Sequence, residues 1–271
     1  MKHELAAVVQ QAPHGFGHSA LREYLQARML QQIALSGSMT SIAFHGGTAL
    51  RFLYALPRFS EDLDFALEHG DGAFSFDGML EKIARGFERE GYAVEAKLMR
   101  ERTAVRKAYL KFPGLLHEMG LSPHASEVIS IKVEVDTNPP AGAVCEISEV
   151  RRHVLARVYH HDRASLYAGK LAAVLMRQYT KGRDLYDLMW YSANPTWPQP
   201  NFTLLNNSIA QNDWSGPVIS ETNWRELVLE RLSRVEWAKA RTEVEQFLER
   251  VEEADLLEYD TFERILTRGG A

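Results

Sequence analysis

Apolar residues recur at helical spacing between Ser19 and Ser36, with Leu21, Leu25, Met29 and Ile33 on one side. The pattern then breaks up. Ile42-Ala43-Phe44 is a short apolar stretch, Gly46-Gly47 interrupts it, and Thr48 to Tyr54 predicts a short helix that Pro57 stops. Phe59 to Leu67 reads as a strand. A helix is expected over Phe76 to Glu90, capped near Asp77 and ended by Gly91. Apolar and polar residues alternate over Tyr92 to Met99 and Ala104 to Phe112, which predicts two strands. A loop follows from Pro113 to Ala125. Glu127 to Asp136 alternates most regularly: Ile129, Ile131, Val133 and Val135 on one face, Ser130, Lys132, Glu134 and Asp136 on the other.

After residue 163 the pattern is helical. Helices are expected over Ser165 to Tyr179, Arg183 to Ala193, Trp224 to Val235 and Trp237 to Glu253, with a last short one over Asp260 to Thr267. Asn194 to Asn223 is a polar connection carrying short helical pieces. Trp190, Trp197, Trp214, Trp224 and Trp237 are expected in the core of this rear half. The organisation predicted is an α/β domain over 1–160 and a helical domain over 161–271, with the boundary near 155–165.

The chemistry gathers at Asp62 and Asp64. Both lie in the apolar run Leu63, Phe65, Ala66, Leu67, and the strand period of two points them to the same face, about 6–7 Å apart. Two carboxylates in such a run are costly without a cation, and oxygen donors suit Mg2+. Just upstream, Gly46-Gly47 opens a helix. Glycines let backbone approach a phosphate chain, the first amides face it, and the Thr48 hydroxyl can add a hydrogen bond. Lys132, Glu134 and Asp136 share one strand face, so either Glu134 or Asp136 is a third carboxylate. Metal plus phosphate is the chemistry of nucleotide transfer. In the rear half, Lys170 and Arg177 are seven residues apart and share a helix face, as do Asp184 and Asp187. These cations can hold a triphosphate and an acid can orient a lysine; ordinary helix-surface ion pairs are the competing reading. His160-His161 reads as solvent-facing rather than ligating, and His45 as packing against the glycines.

The bulk numbers narrow the class. The chain has 271 residues, 45% hydrophobic and 25% charged, which suits a globular core. One cysteine, Cys145, excludes an intramolecular disulfide and fits a reducing cytoplasm. No 18-residue apolar run is present, so no membrane span is expected. A net charge of −5 argues against a protein that coats nucleic acid. A local basic stretch, Arg100, Arg102, Arg106, Lys107 and Lys111, remains a candidate path for a polyanion.

Taken in order, Gly46-Gly47-Thr48-Ala49-Leu50, Arg58-Phe59-Ser60-Glu61-Asp62-Leu63-Asp64-Phe65, Ile131-Lys132-Val133-Glu134, Lys170-Leu171-Ala172-Ala173 with Arg177, and Arg183-Asp184-Leu185-Tyr186-Asp187-Leu188 resemble the AbiEii-type nucleotidyltransferase toxins. These belong to the DNA polymerase β-like nucleotidyltransferase superfamily. The resemblance covers roughly residues 40–190. It implies an α+β fold: a mixed sheet with flanking helices, then an α-helical C-terminal domain that completes the cleft. It implies Mg2+ on Asp62 and Asp64, with Glu134 (or Asp136) closing the metal site. Arg58 and Ser60 stand at the Arg-x-Ser position near the phosphates, Lys132 and Arg177 among the nucleotide contacts. Lys170 matches the lysine on the phosphates, and Asp187 (or Asp184) the late essential acid. The implied activity is transfer of a nucleoside monophosphate from an NTP to RNA, with the tRNA 3′ end as leading acceptor and translation blocked. A cognate antitoxin and a place in type IV toxin–antitoxin or phage-defence systems follow from the same resemblance. The rival readings are a protein or small-molecule acceptor, or a non-catalytic nucleotide- or antitoxin-binding module.

Overall fold

The structure, a computed structural model, describes residues 2–68, 74–99, 103–179 and 181–268. The chain forms two compact units. The first comprises Met1–Tyr54, Phe59–Pro139 and Ile147–His160. The second comprises Ala55–Arg58, Pro140–Glu146 and His161–Ala271.

In chain order the first unit carries α1 (Lys2–Gln11), α2 (Gly17–Leu35), β1 (Ile42–His45), α3 (Gly46–Tyr54), β2 (Asp62–Leu67) and α4 (Phe76–Arg89). Then come β3 (Glu95–Met99), β4 (Val105–Pro113), α5 (Leu115–Glu118), β5 (Val128–Asp136), β6 (Cys145–Val150) and β7 (Ala156–His161). Cys145, Glu146 and His161, at the ends of β6 and β7, fall with the second unit.

The strands form one mixed sheet in the order β3-β4-β5-β2-β1-β7-β6. β2 pairs parallel with β5 and antiparallel with β1; β4 is antiparallel to both β3 and β5. Alternation decides the faces. Leu63, Phe65, Ala108, Leu110, Phe112, Ile131, Val133 and Val135 are buried. On that apolar side α2 meets β5 and α4 meets β3. α4 begins where the Ser75 hydroxyl accepts from the Gly78 amide at 3.1 Å. Its buried Phe87 then packs edge-on to Phe112, with centroids 5.0 Å apart.

The second unit is helical: α6 (Arg163–Met176), α7 (Gly182–Ala193), α8 (Phe202–Ala210), α9 (Trp224–Leu232), α10 (Trp237–Glu245) and α11 (Tyr259–Arg268). Asp162 caps α6, accepting from the Ser165 amide at 2.8 Å. Arg231 closes the other end, donating to the carbonyls of Val174 at 3.2 Å and Arg177 at 2.6 Å. A mixed sheet with flanking helices and a helical C-terminal part is the architecture the sequence predicted.

Several details differ. The strand expected from Phe59 starts at Asp62, and the helix expected to run to Glu253 stops at Glu245, with a 3-10 segment over Val251–Leu256. His160 and His161 are not solvent-facing; they are 0% and 8% exposed. β7 lies inside the sheet between β1 and β6, with His160 opposite Phe44. Of the five tryptophans only Trp224 is fully enclosed, while Trp190 and Trp197 share a half-buried aromatic cluster with Tyr191.

Candidate active site

Along the first four residues of β2 burial alternates. Leu63 and Phe65 are enclosed while Asp62 and Asp64 are half-exposed, so both acids share the open face. The parallel partner β5 sets Lys132 opposite Asp62 and Glu134 opposite Asp64. From the other side β1 sets His45 opposite Asp64. The Lys132 ammonium lies between two carboxylates, 2.9 Å from Asp62 Oδ2 and 2.8 Å from Glu134 Oε2. Lys107 Nζ is 3.8 Å from Glu134 Oε1.

The electrostatics follow from this packing. Burial pushes the Asp62 carboxyl above its ordinary value, and the nearby charges of Glu134 and Glu61 add to the push; Lys132 offsets only part of it. Burial works against the Lys132 ammonium, yet its hydrogen bonds to Glu134 and Asp62 drive its pKa up. Three carboxylates, Asp62, Asp64 and Glu134, thus share this face with Lys132 and Lys107.

The glycine turn abuts these acids. Gly46 has φ +79°, a conformation that suits glycine, and a Cβ there would lie 2.6 Å from Asp64 Oδ2. The Asp64 carboxylate therefore rests against the turn that opens α3. Thr48 does something other than expected. It is 0% exposed and its hydroxyl donates to the backbone carbonyl of Asp62. That donor fastens the first turn of α3 to the first residue of β2 and is not free for a phosphate.

Asp136 pairs with Ala66, one pleat repeat beyond Glu134, and accepts from the Asn138 amide at 2.9 Å. It finishes the strand, and Glu134 is the acid beside the Asp62–Asp64 pair. Ser60 is half-buried, with its carbonyl accepting from Gln26 Nε2 at 3.1 Å.

The remaining sequence candidates meet in the second unit. Arg58, 2% exposed, grips Asp187 with two parallel bonds, Nε to Oδ1 and Nη2 to Oδ2, both 2.6 Å. Lys170 Nζ reaches Asp187 Oδ2 at 2.8 Å and Asp184 Oδ1 at 3.0 Å. Arg177 also bonds Asp184. Burial alone would raise the Asp184 carboxyl, but Lys170 and then Arg177 hold it below the usual range. Burial disfavours the Lys170 ammonium, and Asp187 and Asp184 more than restore it. Arg58 is sealed against Asp187, with Nε and Nη2 both engaged. Asp187 is 0% exposed and bonded to two cations, Arg58 and Lys170.

A family model described as nucleotidyl transferase AbiEii toxin, type IV toxin–antitoxin system, matches residues 28–268. The chain belongs to the AbiEii toxin family. It is thus a nucleotidyltransferase. Among solved structures, MenT4, a nucleotidyltransferase toxin of Mycobacterium tuberculosis H37Rv, superposes with a TM-score of 0.59 at 18% identity, covering 98% of this chain and 89% of that one. JHP933 from Helicobacter pylori gives 0.52 at 16% identity, covering 93% of each chain. Another H. pylori structure, described as a nucleotidyltransferase, gives 0.57 at 15% identity, covering 93% of this chain and 96% of that one. At these identities the likeness is one of fold. No curated protein sequence matches the chain.

Within this AbiEii-family chain, two features had no forecast from the sequence. One is the contact of Gly46 with Asp64, which only the register of β1 on β2 creates. The other is a buried support under α3. Glu23, 5% exposed, accepts from Arg51 of α3, from Arg152 Nε at 2.7 Å and from His153 Nε2 at 3.0 Å. Burial opposes that charge, yet the His153 bond and the two arginines bring the Glu23 pKa down to about 2. Arg51 also lies over the Phe59 ring, 4.4 Å from its centroid. The signal available was an arginine on the apolar side of a short helix. Of the basic stretch, Arg100 and Arg102 lie outside the described residues.

Proposed function

We propose that this AbiEii-family nucleotidyltransferase uses Mg2+ and an NTP to add a nucleoside monophosphate to the 3′ hydroxyl of RNA, the tRNA 3′ end foremost, and so blocks translation in the cytoplasm. The observation that carries the reading is the shared face of Asp62, Asp64 and Glu134, with the Lys132 ammonium between Asp62 and Glu134. The donor set fits Mg2+: three carboxylates, all hard oxygen ligands, with Asp62 raised by burial and so favoured in its ionised form by added positive charge. Bound there, the ion would supply activation of the attacking hydroxyl and neutralisation of the departing pyrophosphate.

The chain's own groups do the rest. The Gly46 and Gly47 amides at the start of α3 face the phosphate oxygens. Lys132 and Lys170 are phosphate cations, with Ser60 and Arg177 among the nucleotide contacts that the family resemblance implies. Asp187 keeps Lys170 oriented. Glu134 takes the proton of the acceptor hydroxyl as its oxygen bonds to the α-phosphorus. The bond from that phosphorus to the bridging oxygen breaks, and pyrophosphate leaves. A cognate antitoxin, within a toxin–antitoxin or phage-defence setting, completes the biological reading.

The test incubates the protein with each labelled NTP in turn, with total RNA or with protein as acceptor. Label in RNA of tRNA size, lost in Asp62→Ala and on chelation, supports the proposal. Label in protein overturns the RNA acceptor. A folded protein that labels nothing favours a binding module.

A further inference from the structure

Resting on that RNA reading, we infer that the open face of β4 and β3 is the track for the single-stranded end of the acceptor, with a base stacked on Tyr109 and phosphates on Lys97, Lys107 and Lys111. The registers create this track. On β4, Lys107 stands opposite Glu134, Tyr109 opposite Lys132 and Lys111 opposite Ser130. On β3, Lys97 stands opposite Tyr109. Lys97, Tyr109 and Lys132 therefore form a row across three strands, in steps of about 5 Å. The row ends at the ammonium that touches Asp62 and Glu134. Along β4, Lys107 and Lys111 flank the ring, each about 7 Å from it along the strand.

Exposure and charge agree with this use. Lys97 is exposed, and Lys107, Tyr109 and Lys111 are half-exposed, while Ala108, Leu110 and Phe112 between them are buried. The same alternation sends Arg106 to the opposite face, where it pairs with Asp77 at 3.3 Å and lies over Phe76. The described part of the basic stretch is thus sorted by the pleat, with Lys107 and Lys111 on the face that carries the acids. Glu95 is the acid on this face among the described residues of β3 and β4. In a chain of net charge −5, this concentrates positive charge next to an acidic site that a polyanion must approach. A ring ringed by lysines is the arrangement that holds single strands without reading their sequence. A purely structural role for Lys97, guarding a sheet edge, predicts no effect on RNA.

The experiment measures binding of a labelled single-stranded RNA of about ten nucleotides to the full chain across a salt series. Transfer to the same RNA is measured beside it, and the unfolding midpoint monitors folding. Tyr109→Leu is expected to weaken binding about tenfold, the size of one base stack, and Tyr109→Phe to retain it. Lys97→Gln with Lys111→Gln should flatten the slope of log affinity against log salt by about 1.4, at about 0.7 per phosphate. Wild-type affinity and slope in these folded variants overturns the track and leaves the RNA acceptor standing, provided the wild type labels the RNA. RNA neither bound nor labelled by the wild type overturns both.

Discussion

Asp187→Ala tests whether the late acid of the motif holds the structure or takes part in the chemistry. The substitution removes a fully buried carboxylate that makes two 2.6 Å bonds to Arg58 and one of 2.8 Å to Lys170. Lys170 keeps Asp184; Arg58, 2% exposed, loses both of these bonds. Breaking a buried ion pair from one side costs about 3–5 kcal/mol, because the remaining charge is stranded away from water. For a chain of this length about 2 °C accompanies each kcal/mol, so the unfolding midpoint should fall by roughly 6–10 °C. Asp187→Asn, which keeps an acceptor but not the charge, should fall between. Arg58→Met combined with Asp187→Leu should regain much of the loss, since an apolar pair leaves no stranded charge. Calorimetry or circular dichroism reads all four proteins. An Asp187→Ala protein that melts within a degree of the wild type, yet transfers no nucleotide, refutes the reasoning and returns the carboxylate to the chemistry.

Three further outcomes follow from the first unit. Gly46→Ala forces a Cβ to within 2.6 Å of Asp64 Oδ2 at φ +79°, so nucleotide transfer should drop by about 10²-fold, the cost of an ångström-scale misplacement; retained transfer would show the turn to be dispensable. Thr48→Val leaves the Asp62 carbonyl without its hydroxyl partner and should cost about 1–2 kcal/mol of stability with NTP affinity intact, whereas weaker NTP binding at unchanged stability would put the hydroxyl back on the phosphates. Glu23 has its carboxyl held at about 2 against an ordinary 4.5. A depressed acid stabilises above its unfolded value and loses that as pH falls, so roughly 3 kcal/mol should disappear between about pH 4.5 and 2, and Glu23→Gln should flatten that limb of the stability curve.

Much of the site was legible because a period of two is a local property. It put Asp62 with Asp64, and Lys132 with Glu134, before any pairing was known. Helix spacing likewise put Lys170 with Arg177, and both side chains meet at Asp184. Pairing itself was not legible. β2 lies beside β5, some seventy residues later, and only that register brings Glu134 rather than Asp136 to the acid pair. Arg58 and Asp187 are 129 positions apart, so nothing local announced their bond. β6 has both faces largely exposed and shows no alternation, which hid it, and with it the interior position of β7 and the burial of His160.

The bond from Thr48 to Asp62, with Asp64 pressed on Gly46, makes the glycine turn and the acid strand a single jig. Its spacing is set before any ligand arrives. Under the proposed function a triphosphate would be gauged by length, from its phosphates to the ion, the four nucleobases would be indistinguishable to this gauge, and preference for one NTP over another would be written in side chains outside it.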